Sequence, residues 1–170
     1  ALQATVTATS GNSCKINDFL RYDFRDMTKK IANPEDYTWI PDDTDQESTV
    51  TLHFEVPVEI KFIHWFENVW FANDASQAIQ GTTIKTSTGQ EITVSPYYYD
   101  HFDKFPYIKT HVFDQPITID WISFTIIKPK GVNAGISEIE LYPPSNQSPT
   151  YCHIVCNEQF AYDWVVYPGE

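Results

Sequence analysis

The sequence predicts an all-β protein, and three observations lead to that fold class. Apolar and polar residues alternate in short runs, as at Val50, Leu52 and Phe54, which is the two-residue period of a strand with one buried face. The chain contains 11 prolines but a single methionine, a composition that disfavours helices. Turn signals separate the apolar runs at short intervals, as they do in a β-sandwich.

The predicted strands follow one another along the chain with a single long early loop, between Lys15 and Trp39. Pro57 and the segment Asp114-Gln115-Pro116 are interpreted as turns, and Thr88-Gly89-Gln90 as the loop of a hairpin. The strands are expected at Ala4–Thr9, Ser48–Glu55, Val58–Phe66, Thr82–Ser87, Glu91–Ser95, Tyr107–Phe113, Ile117–Ile127 and Ile136–Tyr142.

Two local patterns predict which side chains face water. In the closing strand Ile139 and Leu141 are expected to point into the core, and the alternating Glu138 and Glu140 to point outward. The acidic run Asp42–Glu47 is expected to be a solvated face. Trp39 and Trp121 are predicted to be core residues, whereas Trp65 and Trp70 fit either the core or a binding site.

The 170 residues suit one domain, predicted over 1–144, followed by an extension over 145–170. The extension either packs on the sandwich or leads to a next domain. The chain begins at Ala1 without methionine, which suggests that a signal or a neighbouring domain has been removed. We therefore expect a secreted or cell-surface protein.

Charge limits the partners. The formal net charge of −12 makes nucleic acid an unfavourable partner, because phosphate binding needs clustered Lys and Arg. Anionic membranes are disfavoured for the same reason. Neutral ligands, cations and basic proteins stay open.

The three cysteines lie near the two ends of the chain. A disulfide between Cys14 and either Cys152 or Cys156 is the favoured interpretation. Buried free thiols and a metal site that combines the Cys-x-x-x-Cys spacing with His153 are the alternatives, although zinc needs more clustered ligands than these.

No Gly-x-Ser-x-Gly elbow, phosphate loop or His-Glu-x-x-His motif occurs in the sequence. A binding module is therefore favoured over an enzyme. The stretch His64–Asp74 combines aromatic residues with Asn, Asp and Glu, which is the composition of sugar sites.

From about Ala4 to Tyr142 the order of elements resembles a discoidin domain, the galactose-binding-like β-sandwich of coagulation-factor C domains and many carbohydrate-binding modules. The resemblance is carried by Thr38-Trp39 at the end of the long loop, by Thr83–Gly89, which reads x-I-x-x-S-x-G, and by the closing stretch Gly131–Pro143. It implies a discoidin-like jelly-roll β-sandwich with a C-terminal extension.

The resemblance also implies a ligand site formed by loops at one end of the sandwich. The loop after the strand ending at Phe66 supplies polar residues, Asn133 closes the site, and the first long loop forms a third wall. The candidate ligand-binding residues are Tyr37, Asp42, Glu67, Asn68, Trp70, Asn73, Asp74 and Asn133.

In many members a structural Ca²⁺ bridges the first long loop to the region of the final Glu, which corresponds here to Asp23, Asp26 and Glu138. This chain departs from the family's Asp-Gly-Asp-x-x-Thr pattern, because the matching text reads Asp23-Phe24-Arg25-Asp26-Met27-Thr28. The resemblance thus implies a non-catalytic module that binds glycans, with a protein-interaction or adhesion module on the same fold as the alternative.

Overall fold

The computed structural model describes residues 4–16, 38–45, 47–68, 79–94 and 108–144. These residues form six strands and one short 3₁₀ helix, and among them no helix is long and apolar enough to cross a membrane. The strands are β1 (Ala4–Ala8), β2 (Ser48–Asn68), β3 (Gly81–Thr86), β4 (Glu91–Val94), β5 (Ile108–Ile127) and β6 (Gly135–Tyr142), and the helix covers Ser13–Ile16.

A long antiparallel ribbon of β2 and β5 organises the fold. Its register runs from Ser48 opposite Ile126 to Phe66 opposite Ile108. Phe124 pairs with Val50 near one end of this ribbon, and Trp65 lies near the other end. In a straight ribbon, with a rise of about 3.3 Å per residue, the rings of Phe124 and Trp65 would be tens of ångströms apart. The ring centroids are 5.9 Å apart. The ribbon therefore folds over on itself and forms two facing layers.

The two layers have different strand orders. The first contains the early half of β2 and the late half of β5, with β1 on one side and the β3–β4 pair on the other, in the order β1-β2-β5-β3-β4. The second contains the late half of β2 between the early half of β5 and β6. This two-layer antiparallel arrangement confirms the predicted all-β sandwich.

Two predicted turns are wrong. Pro57 lies inside β2 and Pro116 inside β5, so each of these strands replaces two shorter predicted ones. The ladder shifts register between His53 and Val58 and again between Ile60 and Phe62, and both prolines are exposed at these shifts. Because a ladder that skips residues does not need the missing proline N–H, the prolines bend the strands instead of ending them.

The predicted hairpin is confirmed. β3 pairs with β4 in antiparallel register, with Lys85 opposite Glu91. Gly89 has a φ of 83°, which glycine adopts readily, and its N–H donates to the Thr86 carbonyl at 2.9 Å. This short turn sets the register of the two strands.

The core lies between the layers. Val50, Leu52 and Phe54 are buried as their alternation predicts, and Trp39 and Trp65 are buried too. Each large apolar side chain removed from water contributes roughly 1.5–3 kcal/mol. The remaining core residues come from every strand except β4 and from the flanking segments: Ala4, Ile16, Val58, Ile60, Ile63, Ile79, Ile84, Phe113, Ile119, Ile122, Phe124, Ile126, Ala134, Ile136 and Ile139.

Two expectations about single side chains are wrong. Trp121 is half-buried, because it lies opposite the exposed His53 on the outer face of the first layer. Glu138 is 3% exposed, since it pairs in register with Phe66 on a covered face of the second layer. In contrast, Asp42 and Asp43 of the acidic run are exposed as predicted.

Candidate functional site

Three segments meet at one end of the second layer. Asn68, the last residue of β2, lies opposite Gly135, the first residue of β6. Trp39 forms an isolated bridge with Ile136: the Trp39 N–H donates to the Ile136 carbonyl at 2.9 Å, and the Ile136 N–H donates back at 3.1 Å. The last residue of β2, the loop before β6 and the segment around Trp39 therefore share this end.

Gly135 makes this meeting possible. A Cβ added there would overlap the Trp39 carbonyl and lie 3.0 Å from a Thr38 methyl group. Any other residue would push the Trp39 segment away from β6, because a buried backbone leaves no room for the displaced atoms. The glycine that ends the Gly131–Gly135 loop is thus required by a close backbone approach.

Hydrogen bonds to the β1–helix turn hold the segment after Trp39. The Trp39 indole N–H donates to the Ser10 carbonyl at 2.8 Å, and the Asp42 backbone N–H donates to Ser10 Oγ at 3.0 Å. Asp45 accepts hydrogen bonds from the hydroxyls of Thr9 and Ser10, which lower the pKa of its carboxyl. The predicted third wall is therefore fixed in place along 38–45.

The loop before β6 is tied to the same segment by an ion pair. The Lys128 ammonium contacts one carboxylate oxygen of Asp43 and donates to the Val132 carbonyl at 2.9 Å. The Gly131 N–H donates to the other Asp43 oxygen at 3.0 Å. These contacts lower the pKa of the Asp43 carboxyl, with the Lys128 hydrogen bond as the largest cause, so this carboxyl is ionised at neutral pH.

A second ion pair lies just inside this end of the layer. Glu67 Oε1 is 2.6 Å from Lys109 Nζ, and both side chains are buried. Lys109 lies opposite Trp65 in the ladder, which places the pair beside the core. Burial raises the pKa of the Glu67 carboxyl, and the attraction of Lys109 opposes that rise.

The structure brings some of the predicted ligand residues to this end and leaves others undescribed. Asp42 and Asn133 are exposed on adjoining loops, and Asn68 ends β2 opposite Gly135. Glu67 is also here, but its carboxylate is buried against Lys109. Tyr37, Trp70, Asn73 and Asp74 lie outside the described residues.

The predicted calcium ligands and the disulfide fall largely outside the described part of the chain. Asp23, Asp26, Cys152 and Cys156 are not described, and Cys14 is described only as part of the 3₁₀ helix. Within the described ranges no three His, Cys, Asp or Glu residues gather closely enough to hold a metal ion. Of the three predicted calcium ligands, only Glu138 lies in the described ranges, and its side chain is buried.

Sequence reasoning missed the two lysines at this end. Lys128 and Lys109 lie far along the chain from their partners Asp43 and Glu67, and neither lies in a motif. One signal was present for Lys109: a cationic residue in an apolar strand usually needs a carboxylate partner when it is buried.

Comparisons with known proteins support the fold. No protein-family model and no curated protein matches the chain. Among solved structures it is similar to the family 32 carbohydrate-binding module of Streptococcus pneumoniae EndoD (13% identity, TM-score 0.54, 82% of this chain and 95% of that one). It is also similar to the CBM32 of AlyQ, solved in complex with 4,5-unsaturated mannuronic acid (10% identity, TM-score 0.51, 84% and 98%).

A larger protein also contains this fold. The chain is similar to part of a Ruminococcus gnavus GH29 fucosidase, in complex with fucose, at 12% identity and a TM-score of 0.59. The match covers 84% of this chain but only 26% of the fucosidase chain, so it spans about a quarter of that enzyme. The chain therefore has the discoidin-like β-sandwich of family 32 carbohydrate-binding modules, which confirms the predicted fold.

Proposed function

We propose that this chain is a non-catalytic carbohydrate-binding module that recognises a neutral glycan at the end of the second layer. The observation that carries the proposal is the convergence there of Asp42, Asn68 and Asn133 from three separate segments. Carboxylate and amide groups can pair with sugar hydroxyls, which both donate and accept hydrogen bonds. Similar solved structures that carry sugar-binding modules on this fold support the assignment.

The charge at this end favours a neutral sugar over an acidic one. Among the described residues at this end, Lys128 is paired with Asp43 and Lys109 with Glu67, while Asp42 and Lys130 are exposed. The net charge of −12 adds a long-range repulsion of anionic glycans. Uronic acids are therefore expected to bind less well than uncharged sugars of the same size.

The undescribed loop after β2 supplies the aromatic part of the proposed site. In this proposal Trp70 stacks on the C–H face of the sugar, Asn73 and Asp74 bond its hydroxyls, and Tyr37 belongs to the third wall. A structural Ca²⁺ held through Asp23 and Asp26 near Glu138 is part of the same proposal. Secretion or display at a cell surface, as an accessory domain of a larger protein, fits this role.

The test is a glycan-array screen of the purified chain, with neutral and uronic acid glycans, in the presence and absence of EDTA. We expect hits among the neutral glycans, lost in Trp70→Ala and Asn73→Ala and kept in the tryptophan control Trp121→Ala, on the outer face of the first layer. Loss of the hits with EDTA would support the calcium ion. A blank array from folded protein would overturn the proposal and favour the protein-interaction alternative.

A further inference from the structure

Two charged side chains join two of the proposed binding loops without belonging to the set of ligand residues. Asp43 lies on the segment 38–45, and Lys128 precedes the Gly131–Gly135 loop. Both oxygens of Asp43 are engaged, one by Lys128 and the other by the Gly131 N–H at 3.0 Å. We name this arrangement of Asp43, Lys128, Gly131 and Val132 the loop brace.

The loop brace is not built as an ordinary surface ion pair. The Lys128 side chain is only 5% exposed, whereas that of Asp43 is 41% exposed. A lysine held this deeply loses hydration and side-chain freedom, and its two contacts, with the Asp43 carboxylate and the Val132 carbonyl, offset that loss. Because Asp43 is 41% exposed, water screens the attraction, and the pair contributes less to the stability of the fold than a fully buried pair would. The larger consequence of this pair is therefore geometric, because it fixes one loop against the other.

The brace lies between two of the proposed ligand residues. Asp42 directly precedes Asp43 and is held on its other side by Ser10. Asn133 directly follows Val132, whose carbonyl accepts from Lys128, and two residues later Gly135 is fixed against Trp39. Asn133 therefore lies between two fixed points of the backbone, the loop brace at Val132 and the close contact of Gly135 with Trp39.

We propose that Asp43 and Lys128 are positioning residues that set the separation of Asp42 and Asn133 for one sugar. This inference rests on the proposed function. A site in which two polar groups must reach hydroxyls of the same ring loses affinity when one loop moves by an ångström or less. The brace provides that order before the sugar arrives, so its role is in affinity and selectivity.

The experiment compares Lys128→Met and Asp43→Asn with the wild-type chain by isothermal titration against galactose, fucose, glucose, mannose and N-acetylglucosamine. We expect Kd for the preferred sugar to rise about tenfold or more in both variants, with the preference among sugars flattened. Lys85→Met is the matched control, since it removes a lysine from an exposed pair with Glu91, 3.4 Å apart, on the hairpin of the first layer. Its Kd is expected to equal that of the wild type.

A second measurement separates positioning from general damage. The melting temperatures of Lys128→Met and Asp43→Asn are expected to stay near that of the wild type, while the Gly131 amide exchanges faster with solvent. Unchanged Kd in both single variants, or affinity lost only in step with unfolding, would overturn the inference. No binding of any of these sugars or array glycans by the wild-type chain would instead overturn the proposed function.

Discussion

Two ion pairs at the same end of this molecule differ in almost every physical respect. Glu67 and Lys109 are both buried beside the core, with side chains 7% and 6% exposed. In the loop brace Asp43 is 41% exposed and only Lys128 is covered. The first pair belongs to the interior of the second layer, whereas the second joins loops above it.

The pKa values record this difference with opposite signs. Desolvation raises the pKa of Glu67 above its ordinary value, although Lys109 attracts its charged form. Hydrogen bonds from Lys128 and Gly131 lower the pKa of Asp43, because its exposed carboxylate loses little hydration. The buried pair of Glu67 and Lys109 is therefore expected to affect folding more strongly, and the partly exposed pair of Asp43 and Lys128 to affect local loop geometry.

The largest expected effect comes from breaking the buried pair. Lys109→Met leaves the Glu67 carboxylate buried without its cation, which should lower the free energy of unfolding by about 3–5 kcal/mol. Urea unfolding followed by tryptophan fluorescence measures this change. The control Lys85→Met, from an exposed pair, should change it by less than about 1 kcal/mol.

The double variant Glu67→Leu with Lys109→Met sharpens the same test. Removing both charges together should bring the stability back to within about 1 kcal/mol of the wild type, since no ion is then left buried. If the double variant were as unstable as Lys109→Met, the loss of stability would come from altered packing and not from an unpaired buried charge. That result would contradict the difference proposed between the two ion pairs.

The next largest effect is expected from glycine substitutions at the two ends of the Gly131–Gly135 loop, of which the Gly135 end is buried and the Gly131 end is exposed. Gly135→Ala places a Cβ against the Trp39 carbonyl, and we expect a loss of about 1–3 kcal/mol or more. Gly131 belongs to the loop brace, and a Cβ added there meets open space. Only its positive φ of 77° makes Gly131→Ala unfavourable, and we expect a loss of stability of roughly 1 kcal/mol. Thermal unfolding of the two variants gives the order directly. A larger loss in Gly131→Ala would show that the brace end limits stability.

The smallest effects are those of pH, and they have opposite signs for the two carboxylates. The stability contributed by Asp43, with its lowered pKa, is present above the ordinary value of 3.8 and is lost as pH falls through the folded value. Glu67, with its raised pKa, contributes stability below its ordinary value of 4.5, and this is lost as pH rises through the folded value.

Urea unfolding at several pH values tests both signs. The advantage of the wild type over Asp43→Asn should shrink as pH falls below 3.8. Its advantage over Glu67→Gln should grow as pH falls from neutral towards 4.5. Parallel pH profiles for the two variants would contradict the opposite environments assigned to the two groups.

Local pattern predicted those parts of the fold that depend on near neighbours. The alternation of Val50, Leu52 and Phe54 and the hairpin at Gly89 are confirmed, because strand period and turn geometry act over a few residues. The turns predicted at Pro57 and Pro116 are wrong, because a proline in a bent strand and a proline in a turn have the same sequence signal.

The candidate site shows the same limit. The resemblance predicts a site at one end of the sandwich, and Asp42, Asn68 and Asn133 lie on segments that meet at such an end. The burial of Glu67 and of Glu138 could not be predicted, because alternation alone does not say which face of the second layer is covered.

The fold class and the inward-facing residues of the early part of β2 could be predicted from local sequence patterns. The tertiary structure alone decided that β2 and β5 fold over into two layers and that Lys109 meets Glu67 and Lys128 meets Asp43. The difference arises from the separation along the chain over which each interaction acts. Propensity and periodicity act between residues close in sequence, whereas an ion pair depends on strand register and on the water excluded around it.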